Sequence, residues 1–400
     1  MASGIESFVS KSFPFSRFLI KKRFFWLTYL NLRSPWYNRA ITILLCCLCT
    51  SYLIRAPIYI FAPIEPIRKL YLGDFAYNYE SIHDVIWAVQ AFWFLSAIYA
   101  IYIIDETNRS VKMQIWFDGL SILEEGKDEF FRRPNGKIIV ASKLYYSNVD
   151  SSVIFALLFN YSFFLPNMIL HHSDTPLLIL LNIHSLIISG AATAATNYGI
   201  NICFLFCFNA FLVGQKFIKL KERFDTKMDK TKRWHRKISS NSARFISLLK
   251  QVYYGNFFWS QICSAAFSST FIGQIFLMYL LFFIPLNKFH FFSLLGLAII
   301  NFACGQSLIF LSGVYAKSKL NDCHKQLRRV IYSKDIKLRV VDKMKLTIIS
   351  EYVSHRKLFV ILASLEMNSY NYLLVCIEMI SHLLLVIINK KYRSSSLYES

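Results

Sequence analysis

The chain has 400 residues and carries 45 Lys and Arg against 24 Asp and Glu, a formal net charge of +21. Only 17% of the residues are charged, whereas a typical soluble domain carries about 25%. A further 17% are aromatic, and the mean hydropathy is +0.39. This composition leaves too little polar surface to cover a water-soluble protein of this size, so it predicts a polytopic membrane protein.

The positive charge does not indicate nucleic-acid binding, because the basic residues alternate with long apolar runs along the chain. Most of the nine Cys also lie inside apolar runs. They form no paired CxxC motifs, so the sequence predicts neither a zinc site nor a disulfide framework. We expect no metal and no other cofactor.

Seven segments contain the roughly 20 mostly apolar residues that a helix needs to cross a membrane. They span about 39–64, 83–104, 151–170, 176–212, 258–286, 291–315 and 362–389. The fourth is too long for one crossing, and its helix is expected to continue into water as far as about Lys221. The predicted fold class is therefore all-α, with a seven-span membrane domain at 39–389 between an N-terminal segment, 1–38, and a tail, 390–400.

The basic residues are distributed unequally over the two sides of this predicted membrane domain. On one side lie 38 of the 45 Lys and Arg, in the N-terminal segment and three long loops, and on the other side lie six. The positive-inside rule then predicts a cytoplasmic N-terminus and an extracellular C-terminus.

Helical patterns extend into the predicted cytoplasmic loops. Apolar residues between Phe245 and Phe257 recur at the spacing of one helix face and lead directly into the fifth span, and the pattern returns between Leu320 and Ile331. We expect helices that project into the cytoplasm and pack together. The alternative is that they lie on an anionic lipid surface.

The last segment ends with Ser381, His382, five apolar residues from Leu383 to Ile387, then Ile388 and Asn389. Together with the inverted seven-span topology, the short outer loops and the basic helical linker before the last span, this run resembles the insect-type chemoreceptor superfamily of gustatory and odorant receptors. That family usually shows Thr-Tyr, five apolar residues and Gln-Phe at this place. Ser381 keeps a hydroxyl, while the other polar positions differ, as in a divergent gustatory receptor.

The resemblance implies a homotetramer, or a heterotetramer with related receptor subunits, in the plasma membrane. Each subunit would contribute its seventh span to a central cation pore, and the cytoplasmic helices would form a shared anchor. A small-molecule tastant or odorant would bind among the outer halves of the other spans. On this basis the expected function is that of a ligand-gated, non-selective cation channel and not that of an enzyme.

Polar residues in the seventh span are the strongest functional signal, because an ionisable residue near the membrane centre costs about 2.5–3.5 kcal/mol on insertion scales. The predicted pore-lining residues share one helix face: Asn371, Glu378, His382, Leu385 and Asn389. In an oligomer Glu378 would form an acidic ring, and Leu385 an apolar constriction. The alternative is that Glu378 pairs with His382 inside a packed bundle.

The predicted outer halves of spans two to six contain a mixture of aromatic and amide or imidazole side chains, as small-molecule pockets usually do. The candidate ligand-binding residues are Trp87, Gln90, Phe159, Asn167, His184, Gln274 and Tyr279. Each of them is also compatible with a purely structural place in the core.

Three other functions compete with the channel. A G-protein-coupled receptor needs an extracellular N-terminus, which the charge distribution contradicts. A zinc-dependent membrane hydrolase needs paired His at one-turn spacing, and the nine His include no pair four residues apart. A carrier usually shows inverted repeats, which this sequence lacks. The remaining alternative is a seven-helix receptor or transporter without its own pore.

Overall fold

The computed structural model describes residues 36–62, 70–74, 76, 83–109, 136–162, 164–196, 202–225, 233–284, 288–333, 338–355, 357–362 and 364–396. Within these ranges the protein is almost entirely helical. The helices are α1 (Trp36–Phe61), α2 (His83–Arg109), α3 (Gly136–Ser162), α4 (Leu165–Leu170), α5 (Thr175–Thr196), α6 (Ile202–Asp225), α7 (Arg233–Phe283), α8 (Lys288–Ile300), α9 (Ile309–Tyr332), α10 (Val340–His355) and α11 (Ser369–Ser396). A π-helix, Asn301–Leu308, joins α8 to α9, and an antiparallel hairpin, β1 (Val360–Ile361) and β2 (Leu365–Glu366), joins α10 to α11.

Helices that can cross a membrane dominate this architecture. By length and composition, six segments among the described residues qualify: Ile43–Phe61, His83–Ile103, Thr175–Thr193, Cys203–Phe224, Ile238–Phe283 and Leu294–Tyr332. The prediction of an all-α, polytopic membrane protein is therefore confirmed at this level.

The fourth predicted span, 176–212, covers α5 and the first part of α6, and residues 197–201 between these two helices lie outside the described residues. The interval between them contains Asn197, Gly199 and Asn201, and both residue types have low helix propensity. The third predicted span, 151–170, likewise covers the end of α3 and the short α4. A hydropathy pattern does not register weak helix formers inside a long apolar run.

The predicted start of the seventh span, at 362, falls inside the hairpin, and α11 begins only at Ser369. The reason is a side-chain cap: Asn368 Oδ1 accepts a hydrogen bond from the backbone N–H of Asn371, three residues further on, at 2.8 Å. Asn is among the preferred residues at this position because it satisfies a backbone donor that has no partner in the first helical turn.

The loop helices predicted from apolar periodicity are present in the structure. The stripe beginning at Phe245 lies on α7, a single helix of 51 residues, and the stripe beginning at Leu320 lies on α9. Phe245, Leu248, Leu320 and Leu327 are all buried. The buried part of each stripe therefore packs against neighbouring helices, whereas Tyr253 and Phe257 of the first stripe are exposed.

Two large hydrophobic clusters hold the helices together. The α6 cluster includes Phe217 and packs α6 against α3, α7 and α9, and residues of α10 and of the hairpin belong to the same cluster. The α2 cluster surrounds Trp87 and packs α2 against α1, α5 and the described residues of the segment from Leu70 to Ala76. The clusters lie in different parts of the helical array and give the chain two packed regions.

Helices α6 and α9 make the most extensive helix pair in the α6 cluster, and a glycine permits their close approach. A Cβ at Gly214 would meet Cε1 of the Tyr315 ring at 2.5 Å. The ring is fixed by stacking on Phe211 and by accepting a hydrogen bond from Gln215 Nε2 at 2.7 Å. A side chain at position 214 would therefore displace a ring that its neighbours hold in place.

We expect Gly214→Ala to lower the free energy of unfolding by about 1–3 kcal/mol, because overpacking in a core costs about that amount. The matched control is Gly190→Ala on α5, where a Cβ meets no atom within 4 Å. This control should be neutral or stabilising by up to about 1 kcal/mol, since Ala is the better helix former. Thermal unfolding of the purified protein in nanodiscs measures both, and equal effects would contradict the close contact.

Candidate functional site

Helix α11 is the candidate functional site, because its apolar side chains are largely uncovered within the subunit. It packs mainly against α7 and α9. Exposed apolar residues occur along α11 from its second residue to Ile388: Tyr370, Leu373, Leu374, Ile377, Ile380, Leu384, Leu385 and Ile388. Such a surface requires lipid or further protein around it.

Glu378 lies on this apolar helix, and its side chain is 68% exposed. It is the only Asp, Glu, Lys or Arg between Ser369 and Asn389. His382, one turn on, is 50% exposed, and its Nε2 lies 3.9 Å from Glu378 Oε1. The His382 ring also makes an edge contact with Phe271 of α7 at a centroid distance of 6.3 Å.

The structure places the predicted pore-lining residues in three different situations. Glu378, His382 and Leu385 are exposed on α11. Asn371 is partly buried and donates from Nδ2 to the Glu366 carbonyl oxygen at 2.7 Å, so its amide fastens the start of α11 to the hairpin. The Asn389 side chain lies outside the described residues. The pore assignment itself stays a prediction for all five.

The start of α11 is fixed to the rest of the subunit by the hairpin. The backbone N–H of Val360 donates to Asn256 Oδ1 at 3.2 Å, and that of Leu362 donates to Ser264 Oγ at 2.7 Å, both on α7. On the other side Lys317 of α9 forms an ion pair with Glu366. The hairpin therefore ties α11 to both of the helices against which it packs.

The same hairpin contains local backbone strain. Phe359 and Leu362 have φ angles of +60° and +49°, a region that bulky residues rarely adopt. Conformations of this kind cost about 1–3 kcal/mol each and persist only where surrounding contacts hold them. A strained connector between two helices is a place where a conformational change can concentrate.

A polar seam links the π-helix to α7 and α11. Asn301 Nδ2 donates to the Thr270 carbonyl oxygen at 2.7 Å and to Gln274 Oε1 at 3.1 Å. Tyr372 of α11 donates from its hydroxyl to Ser307 Oγ at 2.9 Å. π-Helical turns inside α-helices frequently mark functional positions.

Gln306 is a further polar residue of this seam. Its side-chain nitrogen and oxygen are both buried, and neither has a hydrogen-bond partner among the residues that the structure describes. A buried amide without a hydrogen-bond partner destabilises the folded state by about 1–3 kcal/mol. A rearrangement of the π-helix that gave the Gln306 amide a partner would remove this cost.

Away from α11, a buried carboxylate organises the α2 cluster. Asp74 is fully buried, and its Oδ1 accepts hydrogen bonds from Trp87 Nε1 at 2.8 Å and from the Ala76 N–H at 3.0 Å. Its Oδ2 lies 2.7 Å from His83 Nε2. His83 Nδ1 in turn lies 2.9 Å from the exposed carboxylate of Asp84. The imidazole thus stands between two carboxylates.

The candidate ligand-binding residues that the structure describes lie in different surroundings. The indole N–H of Trp87 is engaged by Asp74, Gln90 is buried, and His184 lies directly beneath Gly73. Gln274 accepts from Asn301, and Tyr279 is exposed and stacked on Phe283. The side chains of Phe159 and Asn167 lie outside the described residues. The role of all seven candidate residues in ligand binding stays a prediction.

Sequence reasoning missed the cavity between α6 and α7, which lies next to the hairpin. It is lined by Lys216, Asn209, Gln251, Asn256, Trp259 and Phe359, among others. The available signal was Lys216 itself, a cation four residues after the apolar run that ends at Leu212. Within the described ranges, no group of three or more His, Cys, Asp and Glu is arranged to hold a metal ion.

Comparison with models of known protein families and with curated proteins found no match to this chain. Its function is therefore inferred from the residues and their geometry.

We expect Asp74→Ala to lower the free energy of unfolding by about 3–5 kcal/mol, because it leaves the buried Trp87 indole N–H and the partly buried His83 imidazole without their acceptor. The control is Asp84→Ala, whose carboxylate is 67% exposed. An exposed ion pair contributes about 0–1 kcal/mol, so this variant should unfold close to the wild-type temperature. Thermal unfolding in nanodiscs distinguishes the two, and a mild effect of Asp74→Ala would show that the carboxylate does not organise the cluster.

Proposed function

We propose that this protein is a subunit of a ligand-gated, non-selective cation channel of the chemosensory type, with α11 lining the pore. The observation that carries the proposal is the exposed Glu378 on an otherwise apolar helix. A carboxylate facing lipid at the membrane centre costs about 2.5–3.5 kcal/mol on insertion scales. Assembly of several copies around α11 removes this cost if the carboxylates face a shared aqueous path.

Seven crossings result if α6 is a buried helix and not a span, and if α3 and α11 cross the membrane together with the five other candidate segments. The apolar window of α6 is 56% buried by the subunit itself, compared with 22–39% for the other five candidate spans. A helix surrounded by protein is apolar for that reason alone. We assign the crossings to α1, α2, α3, α5, α7, the α8 to α9 unit and α11.

This assignment keeps the charge asymmetry of the sequence. The α6 helix and the polar ends of α7 and α9 then lie with α10 on the side that carries most of the Lys and Arg. By the positive-inside rule that side is cytoplasmic, as is the N-terminus, and the C-terminus is extracellular. The proposed location is the plasma membrane.

An exposed apolar stripe on α10 supports assembly into an oligomer. Val340, Val341, Met344 and Ile348 are all more than half exposed, and α10 lies outside the proposed membrane spans. Apolar surface in water is removed when copies of the chain pack together. The resemblance to the chemoreceptor superfamily makes a tetramer the proposed assembly, either of identical or of related subunits.

Leu385 lies on the same α11 face as Glu378 and is exposed, so a ring of Leu385 side chains would form an apolar constriction that closes by dewetting. A tastant or odorant opens such a pore only through its higher affinity for the open arrangement of the helices. The hairpin and the Tyr372 to Ser307 hydrogen bond connect α11 to the helices that would transmit this preference.

The proposal is tested by recording currents from cells that express the protein while tastants and odorants are applied. We expect Glu378→Gln to reduce single-channel cation conductance about twofold or more, because the acidic ring concentrates cations at the pore. The control is Glu351→Gln, which removes the same charge from an exposed position on α10.

Conductance that is unchanged in Glu378→Gln, or reduced equally in Glu351→Gln, would contradict the acidic ring. Saturable uptake without current would favour a carrier, and signalling without current would favour a receptor that lacks a pore.

A further inference from the structure

The cavity between α6 and α7 has the composition of an anion-binding site. Lys216 lines it and is only 5% exposed, and Asn209, Gln251 and Asn256 are further polar residues of its lining. Among the described residues that line the cavity there is one cation and no Asp or Glu. A lysine ammonium and neighbouring amide NH₂ groups supply hydrogen-bond donors and positive charge, which are the groups that bind phosphate.

Aromatic side chains form the rest of the wall. Trp259 packs on Phe206 at a centroid distance of 5.3 Å, and Phe359 of the hairpin lines the cavity as well. The site therefore combines a polar, positively charged part with an apolar part. The cavity has a volume of about 50 Å³, which suits one small anionic group such as a phosphate and places the rest of a larger ligand outside it.

The position of the cavity along α7 suits a lipid headgroup. Trp259 lies at the start of the fifth predicted span, which begins at 258, and Gln251 lies eight residues earlier on the same helix. Eight residues of α-helix correspond to about 12 Å. The cavity thus extends from the predicted membrane boundary into the side that carries most of the Lys and Arg, where anionic lipids are concentrated.

We propose that this cavity binds the phosphorylated headgroup of an anionic lipid of the inner leaflet, with Lys216 contacting the phosphate. A free phosphorylated molecule from the cytosol would share the same chemistry.

A ligand bound in this cavity would affect the hairpin that leads into α11. Asn256 lines the cavity and also accepts the hydrogen bond from the Val360 N–H, and Phe359 is one of the two residues with positive φ. A bound headgroup would hold the hairpin in the conformation described above. The site is therefore placed to regulate the position of α11 from the cytoplasmic side.

The full-length protein is reconstituted in nanodiscs of phosphatidylcholine, with or without phosphatidylinositol 4,5-bisphosphate, and its thermal unfolding midpoint is measured. We expect the phosphorylated lipid to raise the midpoint of the wild type by roughly 3 °C or more, because it binds only the folded protein. Lys216→Gln should lose most of this increase. The control is Lys250→Gln, which removes the same charge from an exposed position next to Gln251 and outside the cavity.

Each variant is compared with its own midpoint in phosphatidylcholine, so a change in basal stability does not mimic lost binding. Asn209→Leu provides a second variant, which removes a polar group from the cavity wall without changing the charge, and it should also reduce the increase. The site is refuted if the wild type shows no increase, or if Lys250→Gln loses as much of it as Lys216→Gln.

In two further arms of the experiment, soluble inositol trisphosphate or inorganic phosphate is added to the protein in nanodiscs of phosphatidylcholine alone. An increase that depends on Lys216 in these arms, but not with the lipid, supports the phosphate site and assigns its ligand to the cytosol, which overturns the lipid assignment. An increase that depends on Lys216 with the lipid only supports the lipid headgroup. The assay requires no current, so its failure and the failure of the channel proposal are distinguishable.

Discussion

A carboxylate on an apolar membrane helix must be surrounded by water or by polar groups, and the proposed arrangement of α11 depends on this requirement. Within the subunit Glu378 faces His382, at 3.9 Å on the same helix, and both side chains remain largely exposed. An exposed pair at this spacing contributes little, so it does not remove the cost of placing the carboxylate in hydrocarbon. An aqueous path shared between copies would remove it.

The contacts of α11 fit a helix that is held firmly at its start and loosely along its length. The hairpin, the Asn368 cap and the Tyr372 hydroxyl fix the first turns, whereas the later turns pack mainly on α7 and α9. Motion of such a helix would pivot near the hairpin, where Phe359 and Leu362 already store backbone strain. The orphaned amide of Gln306 in the adjacent π-helix is a second unfavourable feature in the same region.

Much of the fold was predictable because apolar periodicity and charge distribution report directly on burial. The membrane class and the long helices α7 and α9 follow from patterns that extend over many residues. The hairpin before α11 and the π-helix did not follow, because each depends on a few residues. Asn368 is a weak local signal inside strongly apolar surroundings, and an average of hydropathy over many residues does not show it.

The candidate site was predictable to a lesser degree. Glu378 stood out because an acid in an apolar run is rare, whereas the Asp74 network depends on the spatial approach of Trp87 and His83 to one carboxylate. The cavity at Lys216 depends on the packing of two helices that are separated in sequence. Contacts of this kind leave no repeating pattern in the sequence and are seen only in the packed arrangement of the helices.

The most direct measurement of the central claim is the reactivity of α11 positions toward a membrane-impermeant, water-soluble thiol reagent in the assembled protein. Glu378→Cys should react, because a side chain at this position faces water if α11 lines a pore. Ile380→Cys, which lies two residues on and thus on another face of the helix, should not react above the background of the native cysteines. Reaction of Ile380→Cys with no reaction of Glu378→Cys, or equal reaction of both, would contradict a pore lined by this face of α11.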